Sequence, residues 1–318
     1  MQTFRRALLC AAAIFAAGGA YAADPWPSHP IHFVVPFGPG GANDLLARAA
    51  AEGASRVLGQ PIIVDNKPGA GAVLGTDFVA KAQPDGYTFL ISAAGVVSNS
   101  MIRKVPYKDA DLVPVAMIGL APSVIIVPAN SPYHDLKDFV AQSKQGKGLH
   151  FSTAGVGSTP HFVEGMLTTE YGAKLDLVPY KSGGESVAAV LGSQVDATSE
   201  ASIVVLPQIK AGKLKAIATT YDKISAAPEI PTTKEAGYPN VRIGHWAGVF
   251  APKGTPQPIL DRMNADIIAA VKSQEFHDKL VPSGIEPAPL TLPQYVDFIK
   301  TERERLGTIA RRAKMQAD

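Results

Sequence analysis

The chain has 318 residues, 46% of them hydrophobic, with 30 Lys+Arg against 28 Asp+Glu and a single cysteine. A formal charge of +2 leaves no electrostatic footprint for nucleic acid or an anionic lipid surface. One cysteine excludes an internal disulfide and a Cys-rich metal site, while the length suits one large or two ordinary domains.

In chain order, the first element is an export signal. Arg5 and Arg6 precede an apolar stretch over residues 7–17, and Ala20-Tyr21-Ala22 follows as a cleavage site. That order of regions is a secretory signal peptide over residues 1–22, and the apolar stretch is too short to be a comfortable bilayer span. Leu9 stands before Cys10 where lipoprotein processing needs a small residue. Cleavage would leave 28 basic against 28 acidic residues and no thiol. The expected product is an exported, soluble protein with no nucleic-acid partner.

Alternation of strands and helices comes next. "IHFVV" (31–35) reads as a buried strand, and "NDLLARAAAEGASRVLG" (43–59) as an amphipathic helix stopped by Gly59. Strand 62–64, helix 72–82, turn 84–86 and strand 87–92 follow. Two further strands are expected at 113–120 and 123–128. The pattern then restarts: helix 135–145, strand 149–154, helix 161–171, strand 175–180, helix 184–192, strand 194–198, helix 202–211 and strand 214–220. Helices at 256–272, 274–281 and 291–313 close the chain. Strands alternating with helices predict parallel sheets in an α/β architecture, and two such series with a helical tail predict two lobes.

The strand–helix junctions carry the chemistry. In "VVPFGPGGANDLLAR" a strand meets Gly38, Gly40 and Gly41 before a helix begins. Such a turn leaves bare backbone N–H groups at a helix N-terminus, where an anion binds without a lysine or arginine. Glycine removes the Cβ atoms that would hold a ligand off. "STAGVGSTPH" (152–161) repeats the device with Gly155 and Gly157, and adds the hydroxyls of Ser158 and Thr159. "YKSGGES" (180–186) is a third candidate. Ligands of open α/β sheets collect at the carboxyl ends of strands, so these loops suggest one shared anion site.

Enzyme readings find less support. "GAGAVLG" (69–75) has the spacing G-x-G-x-x-x-G, not that of a dinucleotide fingerprint, and "GPGG" lacks the Lys-Ser/Thr of a phosphate loop. There is no G-x-S-x-G. Ser158 and His161, three apart at a helix start, form the one conceivable nucleophile pair; an N-cap hydroxyl beside a helix-flank histidine is the plainer reading. No metal or cofactor is expected. His29, His32, His134, His150, His245 and His277 read as surface or packing residues.

Taken together, "VVPFGPGGANDLLAR", "VDNKPGAGAVLGTDFVAKAQPDGYTFL", "AGVGSTPHFVEGML", "PYKSGGES" and "WAGVFAPKGTP" resemble the Bug (TctC-like) family of extracytoplasmic solute receptors of tripartite tricarboxylate transporters. The resemblance spans the chain after the signal and implies a two-lobed α/β periplasmic binding fold with crossover strands between the lobes. Lobe one would comprise 24–125 and 247–318, with the C-terminal helices returning to it, and lobe two 126–246. It implies a monomer that captures a small carboxylate for membrane transporter components and does no chemistry; a periplasmic hydrolase using Ser158 and His161 is the alternative. By position, Phe37, Gly38, Gly40, Gly41, Ala42, Asn43 and Asp44 would form the first binding loop. Ala154, Gly155, Val156, Gly157, Ser158 and Thr159 would form the second, with His161 behind it. Ala93, Ala94, Gly95 and Gly183 would line the walls. Two departures stand out: Ser199-Glu200-Ala201 where the family often has Phe-Asp-Asn, and Ala93-Ala94-Gly95-Val96 where it often has Ser-Ser-Gly-Thr. They imply a wider, less polar wall suited to an aromatic carboxylate such as terephthalate, with an aliphatic dicarboxylate as the other choice.

Overall fold

The computed structural model describes residues 26–315, so the signal-peptide reading lies outside the described residues. Strands β1 (Ile31–Val35), β2 (Ile62–Asn66) and β3 (Thr88–Ser92) pair in parallel in the order β2-β1-β3. Between them run α1 (Ala42–Leu58), α2 (Val73–Ala80) and, after β3, α3 (Ala94–Ile102). Helix α1 buries Leu46, Ala47, Ala50, Ala54 and Leu58 on one face and stops at Gly59, whose left-handed φ of 72° lets its N–H bond Ser55 C=O.

The expectation of two strands between residues 113 and 128 gives way to one. β4 (Leu112–Pro128) runs unbroken for 17 residues. Residues 112–122 pair antiparallel with β9 (Gly244–Pro252), and residues 123–128 pair with β7 (Ala197–Ala201) and β8 (Leu214–Thr219). Pro122, which reads as a strand breaker, sits where the partners change hands, and the register slips beside Pro114 and Gly119 absorb the twist. Beyond β7 the sheet continues in parallel through β5 (Leu149–Thr153) and β6 (Leu175–Pro179). Helices α4 (Leu136–Ser143), α5 (Thr159–Tyr171), α6 (Gly183–Leu191) and α7 (Ser202–Lys210) cover this second half. The short β10 (Glu286–Pro287) pairs with β4.

Two further elements differ from expectation. β7 lies three residues later than the sequence suggested, because Ser193 takes a left-handed φ and residues 194–196 turn before pairing starts. Helix α3 is not expected from "AGVVSNSMI", a stretch poor in strong helix formers; it forms because Gly95 and the side chains of Ala94, Val96, Val97, Ser98, Asn99 and Ile102 are buried in the core. Of the C-terminal helices, α8 (Gln257–Lys272) packs on α1 and β4, with Gly53 pressed against Ala270, and α9 (Gln274–Leu280) follows it. Helix α10 (Leu292–Arg312) lies along α3 and β4 and also reaches α5.

Tyr295 on α10 is fully buried against Gly248 of β9, and its hydroxyl has no hydrogen-bond partner. A buried hydroxyl without a partner costs stability. Tyr295→Phe is therefore expected to raise the unfolding free energy by about 1 kcal/mol. Urea denaturation with an unchanged m-value reads this out; a loss of stability would mean that the hydroxyl is satisfied in solution.

Candidate functional site

The β1–α1 turn is held from below by one carboxylate. Asp44 Oδ2 accepts the Gly40 N–H at 3.0 Å, and Oδ1 accepts from Asn66 Nδ2 at 3.0 Å and pairs with Arg48 at 2.9 Å. Burial alone would raise the Asp44 pKa; the bonds from Arg48, Gly40 and Asn66 outweigh it and hold the group below its ordinary value. Asp44 is thus a fixed anion already satisfied by its own partners. The α1 N-cap is Gly41, which has no side chain to cap the helix.

The same economy recurs at two other helices. Ala93 is the N-cap of α3 and supplies no side-chain cap. Ser158 is the N-cap of α5, but its hydroxyl does not cap: Oγ donates backward to Gly155 C=O at 2.6 Å. A fourth helix, α6, is capped by Ser182, which accepts the Glu185 N–H. Three uncapped N-termini therefore open toward one cavity. Its lining combines Phe37 and residues 41–44, residues 93–95, Ala154 with residues 158–160, Gly183, Glu200 and His245. Among the described residues, no lysine or arginine lines it.

Most of the expected residues meet here: Phe37, Gly41, Ala42, Asn43, Asp44, Ala93, Ala94, Gly95, Ala154, Ser158, Thr159, Gly183 and Glu200. Others serve the loops instead. Gly38 N–H donates to Lys181 C=O at 3.2 Å, and Gly40 makes the turn at φ 81°. Gly155 stands against Gly71, and Val156 C=O accepts from Arg103 at 2.7 Å; both lie outside the cavity. Gly157 N–H donates to His161 Nδ1 at 3.0 Å, and burial, helped by the Arg103 charge, lowers the His161 pKa to about 4. Ser158 and His161 are each bonded to the loop rather than to one another, which leaves the nucleophile pair without its defining contact.

Two placements correct the sequence reading. Ser199 does not line the cavity: its hydroxyl pairs with Ser123 Oγ at 2.5 Å. Successive residues of a strand face opposite sides, so only its neighbour Glu200 points in, and the wide wall inferred from Ser199 falls away. The unanticipated Pro160 of α5 also lines the cavity, and so does His245 on β9, read from the sequence as a surface or packing residue. Its Nε2 is 3.2 Å from Glu200 Oε1 but off the line of a hydrogen bond, and it has no partner in the protein. No spacing in "GHWAGVF" marks that histidine. Burial pushes the Glu200 carboxyl up to about 7, partly opposed by the Ala201 N–H, and drives His245 down to about 3. No group of three or more His, Cys, Asp or Glu is placed to hold a metal among the described residues.

The halves of the molecule touch at two points beside the cavity: Gly38 meets Lys181, and the Arg103 guanidinium spans from Ala70 C=O at 2.9 Å to Val156 C=O at 2.7 Å. Arg103→Ala is expected to remove charge-assisted bonds of about 1.5–3 kcal/mol and to loosen the second contact. Small-angle scattering should then give a larger radius of gyration for the variant than for the parent. Equal radii would show that Arg103 does not hold the halves together.

A family model described as the tripartite tricarboxylate transporter family receptor (TctC) matches residues 46–315. Protein BugT of Bordetella pertussis is 36% identical over 295 residues, covering 91% of this chain and 90% of BugT. The structure of the periplasmic binding protein BugD superposes with a TM-score of 0.87 at 31% identity, over 92% of this chain and 100% of BugD. Rpa4515 of R. palustris, solved with adipate, superposes with a TM-score of 0.87 at 28% identity, over 92% of this chain and 99% of that one.

Proposed function

We propose a carboxylate-receptor role for this chain, which belongs to the tripartite tricarboxylate transporter receptor family and has that family's two-lobed periplasmic-binding fold. Its ligand is a small organic acid. One carboxylate docks on the free N–H groups at the starts of α1, α3 and α5, and the rest of the molecule lies toward Glu200 and His245. The observation that carries this reading is the convergence of three uncapped helix N-termini on a cavity whose described lining has no lysine or arginine. Backbone dipoles replace a cation there. The adipate bound by the R. palustris relative supports an acid of this class and favours an aliphatic dicarboxylate over an aromatic acid such as terephthalate. With Ser199 facing away, the aromatic choice keeps only the small Ala93-Ala94 wall in its favour.

The protein works in the periplasm as a monomer and does no chemistry. Its lobes, 24–125 with 247–318 and 126–246, close on the acid, and the closed face is what membrane transporter components read. No helix among the described residues is long and apolar enough to cross a membrane. The hydrolase alternative has no observation in its favour.

Titration calorimetry against benzoate, terephthalate, succinate and adipate is expected to show saturable one-to-one binding of at least one acid, with no turnover of a generic ester. Gly41→Val places a branched side chain against Gly183, whose N lies 3.4 Å from a Cβ at position 41. It should weaken that binding by about 1.5–3 kcal/mol, the scale of hydrogen bonds to a charged group. Unchanged affinity in a folded Gly41→Val protein would move the carboxylate site elsewhere.

A further inference from the structure

Glu200 and His245 are 2% and 7% exposed and share the cavity with the helix ends. They flank β4 where it changes partners: Val124 pairs with Glu200, and Ala121 with His245. Glu200 Oε1 accepts the Ala201 N–H at 2.8 Å. Oε2 lies against Gly183, so closely that a Cβ there would collide with it. Gly183 also faces Gly41, the start of α1. An acid docked on α1 therefore lies close to Glu200, and where it carries a second carboxylate Glu200 is within reach of that far end.

That far end meets no cation. Of the ionisable groups lining the cavity, Asp44 on α1 is bound to Arg48, Asn66 and Gly40, and His245 on β9 is the one other neighbour; α6 contributes only Gly183. Two carboxylates in contact without a cation between them do not both stay ionised; they share a proton. Resting on the carboxylate-receptor reading above, we propose that the cavity binds a dicarboxylate together with one proton, which Glu200 carries and donates to the ligand's second carboxylate. The proton comes from solvent. It stays covalently on Glu200, and the bond formed is an O–H···O hydrogen bond to the ligand.

The energetics of Glu200 agree. Burial already places its pKa at about 7 in the free protein, and a second anion alongside raises it further. His245, lowered by burial, stays neutral and offers no competing charge. Above pH ~7 the free protein has lost the Glu200 proton and the complex has regained it, so binding takes up one proton. Well below pH ~7 Glu200 is protonated in both states and this uptake disappears.

Calorimetry of the signal-free protein at pH ~8, in buffers of different ionisation enthalpy, tests this with adipate and with hexanoate, its one-carboxylate counterpart. Proton uptake approaching one is expected for adipate and near zero for hexanoate, with adipate affinity falling about tenfold per pH unit above pH ~8. In Glu200→Gln the uptake should vanish and the adipate affinity should become flat with pH. Infrared difference spectra of the parent protein should show a protonated-carboxyl band on adipate binding at the same pH, a readout independent of whether the variant folds. Adipate binding without uptake, with proton release, or without that band overturns the proposal, as does uptake that survives in Glu200→Gln. If hexanoate saturates the site and adipate does not bind, the proposal fails while the carboxylate site stands; if no acid binds at all, both fail.

Discussion

The central constraint is electrostatic. The cavity presents partial positive charge without a cation, because backbone N–H groups at three helix starts remain unpaired with any side chain. Everything nearby serves to keep them so. Gly41 and Ala93 bring nothing that could cap. Ser158, which has a capping hydroxyl, turns it back to Gly155 and leaves the α5 N-terminus open. Asp44, the one acid in the α1 first turn, is tied down by Arg48 and Asn66 and acts as a brace for the Gly40 turn. A dipole array of this kind is fixed in direction, so it discriminates by position where a flexible lysine would follow the ligand.

The second organising element is β4. One strand belongs to both halves of the sheet, and the pair Glu200–His245 sits on its two successive partners at the point of exchange. The polar floor of the cavity is thus built where the halves join, while the glycine loops that face it come from the two sides. A movement of one half against the other would change the spacing of the loops.

Much of this was legible in the sequence, and the limits have physical causes. "IHFVVPFGPGGANDLLAR" is readable because the hydrophobic period changes from 2 to 3.6 across a glycine turn, and that change is a local property. The glycine loops, the alternation and the C-terminal helices follow from the same signals. β4 reads as two strands, 113–120 and 123–128, because the change of partners that joins them involves residues 78 to 122 positions away. β7, "ATSEA", has no apolar alternation and Thr198 as its one β-branched residue, and it is a strand because it is buried between two others. Its parity decides that Glu200 and not Ser199 faces the cavity, and parity is set by register rather than by composition. His245 was invisible for the same reason: one histidine in an apolar strand carries no periodic mark.

The continuity of β4 also bears on how the family can vary. An inserted or deleted residue in a surface loop is absorbed locally, but one within residues 112–128 would shift the pairing with β9, β7 and β8 together. A slip of one residue reverses which side chains face inward. Both members of the polar floor would change their relation to the strand between them in a single event. The strand therefore restricts tolerable length changes to the outer connections and leaves substitution at fixed positions as the route to a different lining.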